Sequence, residues 1–237
     1  MAKPDLLTQS KPFLAFLENW QAQIQSLPLA TVIPDPEKTA ILSVDVINGF
    51  CYEGPLASPR VAGIVEPIVS LFKSAWAQGV HQIILCQDTH EPDAVEFSAW
   101  PPHCVRGTPD AETVDAIQAL PFYNQLIVLP KNSISSTTNT GLDVWITSHP
   151  DIDTFIVVGD CTDLCTYQLA MQIRLDANAR QLTRRVIVPA NCTDTYDYSI
   201  EAARARGGLP HPAELIHDIF LYHMVLNGVE VVKSLSS

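Results

Sequence analysis

The chain has 237 residues, 47% of them hydrophobic and 17% charged, and carries a formal net charge of −12. That length allows one large core, and the excess of acid, with no block of Lys or Arg, argues against a nucleic-acid partner. No apolar run is long enough to span a bilayer, and Lys3, Asp5 and Lys11 interrupt the stretch a secretion signal would need, so a cytoplasmic protein off the membrane is expected.

In chain order, positions 9–27 carry Phe13, Phe16, Leu17, Trp20 and Ile24 at helical spacing and predict an amphipathic helix, followed by a Pro-rich connector over 27–36. This extension, residues 1–38, is expected to pack against the body or a second subunit, with a substrate lid as the alternative. Strands are predicted at 39–46, 82–86, 125–129, 154–158, 185–188 and 229–232, most of them apolar throughout, as in strands covered on both faces. Helices are predicted at 61–78, 112–119, 141–148, 163–180 and 212–226; the last shows Leu215, Ile216, Ile219, Phe220 and Met224 on its apolar face. The alternation predicts an α/β domain over 39–237, three layers deep, around a six-stranded, mostly parallel sheet.

Ligands of open parallel sheets bind at the carboxyl ends of strands, where strand order reverses. Asp45 closes the first predicted strand, Asp88 and His90 follow the second, Lys131 the third, and Cys161 and Cys165 the fourth. Cys165 opens a helix, where free amides and the helix dipole favour a thiolate and would receive an oxyanion. A buried structural cysteine, or metal binding by Cys161 with Cys165, are the other readings. Asp45 serves as a base or as a turn cap, and Lys131 as a charge stabiliser or a solvated surface group. Asp88, His90 and His103 offer one carboxylate and two imidazoles to a divalent metal (zinc first, iron or manganese also fitting), with Glu96 as a fourth ligand; a hydrogen-bonded loop is the alternative. With Cys51, Cys86, Cys104 and Cys192, the chain has six cysteines, expected as reduced thiols.

Together these segments resemble the isochorismatase-like cysteine hydrolases, and among them the plant-type nicotinamidases. The resemblance runs from about Ala40 to Lys233. It is carried by Val44-Asp45-Val46-Ile47-Asn48-Gly49-Phe50-Cys51, Asp88-Thr89-His90, Trp100-Pro101-Pro102-His103-Cys104, Lys131-Asn132, the run from Gly159 to Cys165, and His211-Pro212-x-Glu214-Leu215. It implies a Rossmann-like fold with Asp45 as base, Cys165 as nucleophile and Lys131 stabilising the pair. It further implies Asp88, His90 and His103 as metal ligands whose ion receives the pyridine nitrogen of nicotinamide. Phe50 and Trp100 would flank the ring, and a cis peptide before Cys161 would aim the amides of Cys161 and Cys165 at the oxyanion. The implied reaction is hydrolysis of a small-molecule amide through a thioester, by an enzyme that forms a homo-oligomer. Departures fall around the pocket: Gln87 and Thr89, the stretch Ser133, Ile134, Ser135 and Ser136, and Asp160 at a position usually small and apolar. Other readings are hydrolysis of a different small amide (ureido or maleamate-like), isochorismate hydrolysis, a silent scaffold, or a metalloenzyme that leaves Cys165 without a task.

Overall fold

The apolar runs pair into one parallel sheet in a computed structural model that describes residues 5–236. In chain order the strands are β1 (Leu27–Pro28), β2 (Thr39–Val44), β3 (Gln82–Asp88), β4 (Ile127–Lys131), β5 (Thr154–Asp160), β6 (Arg185–Pro189), β7 (Thr193–Asp194), β8 (Glu230–Val232) and β9 (Leu235–Ser236). The main sheet runs β4-β3-β2-β5-β6-β8, every pair parallel. Its seventh strand, β7, is added to the six expected; it pairs with the carboxyl end of β5 and, at two residues, is too short to show a period in sequence. Strand order reverses between β2 and β5, which places the switch point beside Val44 and Gly159.

Alternate strand residues feed two cores. Ile41, Ile83, Leu85, Ile156 and Val158 pack with Ile68, Val69 and Phe72 of the Val65–Ala77 helix. Leu42, Val44, Ile84, Phe155 and Val157 pack with Leu169, Ala170 and Ile173 of the Cys165–Arg180 helix and Leu221 and Met224 of the Ala213–Leu226 helix. Burial of both faces explains why these strands read as continuous apolar runs. At the switch point β2 and β5 approach so closely that a Cβ on Gly159 (φ +117°) would lie 1.9 Å from the Val44 carbonyl oxygen, so the position needs glycine.

Several boundaries move. β2 stops at Val44 because Asp45 takes φ 58° and turns the chain out of the strand. The 61–78 helix divides into Pro59–Ala62 and Val65–Ala77, and 112–119 supplies only the single turn Asp115–Gln118. The N-terminal helix is Leu6–Gln23, its start capped by the Asp5 carboxylate accepting from Thr8 N–H. Leu27 joins β1, which pairs with β9. Phe13, Phe16 and Trp20 surround the ring of Tyr222 at centroid distances of 5.7, 5.6 and 5.3 Å, so this helix lies on the last long helix of its own chain. Among the described residues no helix is long and apolar enough to cross a membrane.

Candidate active site

Parallel register brings the carboxyl ends of β2, β3 and β4 level, with Asp88 directly opposite Lys131. Asp45, first residue after β2, accepts the Asp88 backbone N–H on Oδ1 at 2.8 Å. Lys131 Nζ reaches inward to Asp88 Oδ1 at 2.6 Å, Asp45 Oδ2 at 2.8 Å, the Ser133 carbonyl at 3.1 Å and Cys165 Sγ at 3.6 Å. Cys165 begins the helix that follows β5. Its sulfur and the carboxylates of Asp45 and Asp88 lie within 4.8 Å of one another. Asp45, Asp88, Lys131 and Cys165 are all buried.

One ammonium therefore serves two buried carboxyl groups. Burial disfavours the charge on Lys131, but Asp45 and Asp88 more than reverse this and hold it protonated well above the usual range. Burial also works against ionised Asp88, yet Lys131 and then His90 bring it below its ordinary value. Asp45 is left with the weaker share: burial first, then the Asp88 charge, push it up to about 7 against the pull of Lys131. Although 2.8 Å from the ammonium, Asp45 Oδ2 makes no well-directed hydrogen bond. Burial lifts the Cys165 thiol well above the ordinary thiol range, with Lys131 opposing. The resting arrangement is a protonated thiol beside a carboxylate poised near neutrality, with a fixed cation touching both. Such a set can pass one proton from sulfur to carboxylate as the sulfur attacks.

Next to it stand Asp88, His90 and His103, whose candidate ligand atoms lie within 4.8 Å of one another. Asn132 Oδ1 accepts the Glu91 backbone N–H at 3.1 Å, which fixes the amide with its oxygen toward His90. His90 Nδ1, 3.1 Å from that oxygen, is therefore the donor, and Nε2 keeps a lone pair that is buried and without a hydrogen-bond partner. His103 Nδ1 donates to the Pro101 carbonyl at 2.7 Å, which likewise frees its Nε2. Both Nε2 atoms face Asp88 Oδ2, at 3.5 and 4.0 Å. Preset tautomers, an orphaned nitrogen and an O,N,N donor set fit a divalent cation such as zinc, iron or manganese. Glu96, half-buried in a short turn, stands outside this group of mutually close atoms.

Rings close around the triad. Phe50 meets His103 at 5.6 Å, and Phe97 meets His90 at 5.3 Å and His103 at 5.6 Å. Trp100 sets its ring against Tyr196 at 6.3 Å, edge to face. On the loop between β5 and Cys165 the Asp160–Cys161 peptide is cis. Cys161 is buried, its sulfur 3.8 Å from Asp160 Oδ1, while Asp160 Oδ2 has no hydrogen-bond partner. Burial, then the charge of Asp45, keep that carboxyl neutral far above its ordinary range. All six cysteines are unpaired and buried. Phe97 and Tyr196 were not singled out by sequence; Asn132 was named there only beside Lys131, with no role of its own.

The isochorismatase domain model matches residues 39–214. Nicotinamidase 1 of Arabidopsis thaliana is 28% identical over 211 residues, covering 83% of this chain and 86% of that protein. The nicotinamidase/pyrazinamidase of Mycobacterium tuberculosis is 30% identical over 177 residues, 69% of this chain and 91% of its own. The structure of the pyrazinamidase of Pyrococcus horikoshii in complex with zinc superposes with a TM-score of 0.64 at 20% identity, over 83% of this chain and 99% of that one. At that identity the superposition speaks for the fold.

Proposed function

The chain belongs to the isochorismatase domain family and, through its kinship with nicotinamidases, is a hydrolase of amide C–N bonds; from that premise we propose that it converts nicotinamide to nicotinic acid and ammonia through a Cys165 thioester. The observation that carries the reading is Lys131 Nζ, which touches Asp45 Oδ2 at 2.8 Å and Cys165 Sγ at 3.6 Å in one buried chamber.

In the first half-reaction Cys165 sulfur attacks the carboxamide carbon while its proton passes to Asp45. The carbonyl oxygen takes negative charge and is met by the backbone amides of Cys161 and Cys165; the latter is among the first helix amides, which have no intrahelical acceptor. The C–N bond then breaks, Asp45 returns its proton to nitrogen, and ammonia leaves. In the second half Asp45 takes a proton from water, whose oxygen attacks the thioester; the S–C bond breaks and sulfur recovers the proton. Lys131 stays charged throughout and offsets the Asp45 carboxylate and the passing thiolate. Phe50 and Trp100 are proposed as ring contacts, with Asp88, His90 and His103 as the ligands of a divalent metal, zinc first. When bound, that ion supplies a Lewis-acid contact that orients the ring nitrogen.

The test is ammonia release from nicotinamide by metal-replete protein, with Cys165→Ala as the blank. Cys165-dependent release is expected, and release retained by Cys165→Ala would overturn the assignment. One observation favours a second reading, hydrolysis of a ureido amide: the extra polar group of such a substrate would give the unpartnered Oδ2 of the neutral Asp160 carboxyl a hydrogen-bond partner. Turnover of ureido compounds in place of nicotinamide would select it.

A further inference from the structure

His211 touches none of the reacting groups, yet it is tied to the loop that carries them. Its Nε2 lies 3.0 Å from Asp163 Oδ2, and its Nδ1 donates to the Tyr196 carbonyl at 2.8 Å. Its ring stacks on that of Tyr196 at 4.0 Å with 15° between the planes, and Tyr196 in turn meets Trp100. Asp163 also accepts from Thr195 Oγ1 at 2.6 Å.

One residue earlier, the Thr162 N–H donates to the Asp194 carbonyl at 3.0 Å, and its hydroxyl lies 2.8 Å from His217 Nδ1 and 3.1 Å from Thr193 Oγ1. Arg60 clamps Asp194 Oδ1 through Nε at 3.2 Å and Nη2 at 2.8 Å. The side chains of Thr162 and Asp163 are thus both turned into the C-terminal segment. Cys161 and Cys165, whose amides are the proposed oxyanion donors, bracket these two anchors. Within the loop, the Cys161 carbonyl accepts from Leu164 N–H at 3.0 Å and Thr166 N–H at 3.2 Å. The segment doing the holding is itself braced: Tyr198 and His211 pair as an antiparallel bridge, and the Tyr198 hydroxyl donates to the Gly207 carbonyl at 2.7 Å.

We propose that His211 is a positioning residue for amide hydrolysis, setting the oxyanion loop through Asp163. The proposal rests on the reading that Cys165 attacks an amide carbonyl. Oxyanion donors act by being in place before charge develops, so a loop allowed to drift loses transition-state stabilisation while ground-state binding is largely kept. Loss of a whole oxyanion donor costs on the order of 10²–10³ in kcat, and loosening two of them is expected to cost about 10–100-fold.

The experiment compares metal-replete wild type, His211→Gln and His211→Ala by kcat and KM for nicotinamide. It adds their affinities for pyridine-3-carbaldehyde and for nicotinic acid. The aldehyde adds the Cys165 sulfur to its carbonyl carbon, moving the thiol proton to the new oxygen or to Asp45, and so reports the oxyanion site; the acid binds without forming that bond. Expected for His211→Ala are a kcat loss of about 10–100-fold, KM within about threefold, aldehyde affinity weakened in step with kcat, and acid affinity unchanged. His211→Gln, which keeps a donor, should fall between the two. Unchanged kcat, or equal weakening for aldehyde and acid, would overturn the proposal, since general damage to the fold moves both. If wild type hydrolyses no nicotinamide, the substrate reading fails separately, and amide hydrogen exchange over Cys161–Cys165 judges the positioning role. Faster exchange confined to that loop in His211→Ala upholds it; unchanged exchange overturns it.

Discussion

Replacing Lys131 by methionine removes the ammonium and keeps most of the side-chain volume. In the native protein that ammonium lies 2.6 Å from Asp88 and 2.8 Å from Asp45, with both ion pairs fully out of solvent. Removing one partner of a buried pair costs about 3–5 kcal/mol. Here two carboxylates are left, but each can escape by taking a proton, so the same range is expected rather than twice it. For a chain of this size that corresponds to a fall in Tm of roughly 6–20 °C, at about 2–4 °C per kcal/mol. The sign of the pH dependence follows from which carboxyl loses its partner. Native Asp88 sits below its ordinary 3.8, so it contributes stability that is present above that pH and lost on acidification. Without Lys131, burial is the dominant influence left, and Asp88 moves above 3.8; such a group favours the fold below 3.8 and loses that contribution as pH rises. The stability gap between wild type and Lys131→Met should therefore widen from pH 5 to pH 8. Thermal unfolding followed by circular dichroism across that range measures it. A gap below about 1 kcal/mol at pH 8, or one that does not change with pH, would refute the picture of one cation holding two buried carboxylates.

Asp45→Asn removes the proton acceptor while keeping the shape, so kcat should drop by about 10²–10⁴-fold with the fold intact, as steady-state ammonia release and circular dichroism would report together. Asn132→Ala leaves His90 Nδ1 without its acceptor, and affinity for zinc should weaken by about 10–100-fold in a chelator competition; unchanged affinity would remove Asn132 from the site. Gly159→Ala drives a Cβ to within 1.9 Å of the Val44 carbonyl oxygen at a positive φ, and the variant should fail to fold or lose more than about 4 kcal/mol in urea unfolding. Wild-type stability there would contradict the close β2–β5 approach.

The fold was legible where burial leaves a trace in a single segment. The apolar runs from Ala40 to Val44 and from Phe155 to Val158 are buried on both faces and read as strands without ambiguity. The rim was legible for the same reason: Asp45 directly follows β2, Asp88 and Lys131 close β3 and β4, Cys165 opens the helix after β5, and parallel register carries them together. Less could be read where structure comes from pairing at a distance. The two residues of β7, and the segments on either side of the Ile200–Arg206 helix that deliver Tyr196 and His211, have no period of their own; they take their form from Gly159, Asp160 and Asp163 on another strand and loop. A single turn at Asp115–Gln118 carries enough apolar spacing to suggest a longer helix, since local pattern does not say where tertiary contacts stop it. Glu96 lies between His90 and His103 along the chain but outside their group of mutually close atoms in space, a separation that position in sequence does not reveal.

The most direct test of a covalent amidase is to catch the acyl group on sulfur. Metal-replete protein mixed with nicotinamide, quenched in acid within one turnover and examined by intact and peptide mass spectrometry, should carry a nicotinoyl group on the Cys165 peptide. The label should disappear as nicotinic acid is released and be absent from Cys165→Ala. Steady release of nicotinic acid with no acyl group on Cys165 at any quench time, and undiminished in Cys165→Ala, would contradict the account at its centre.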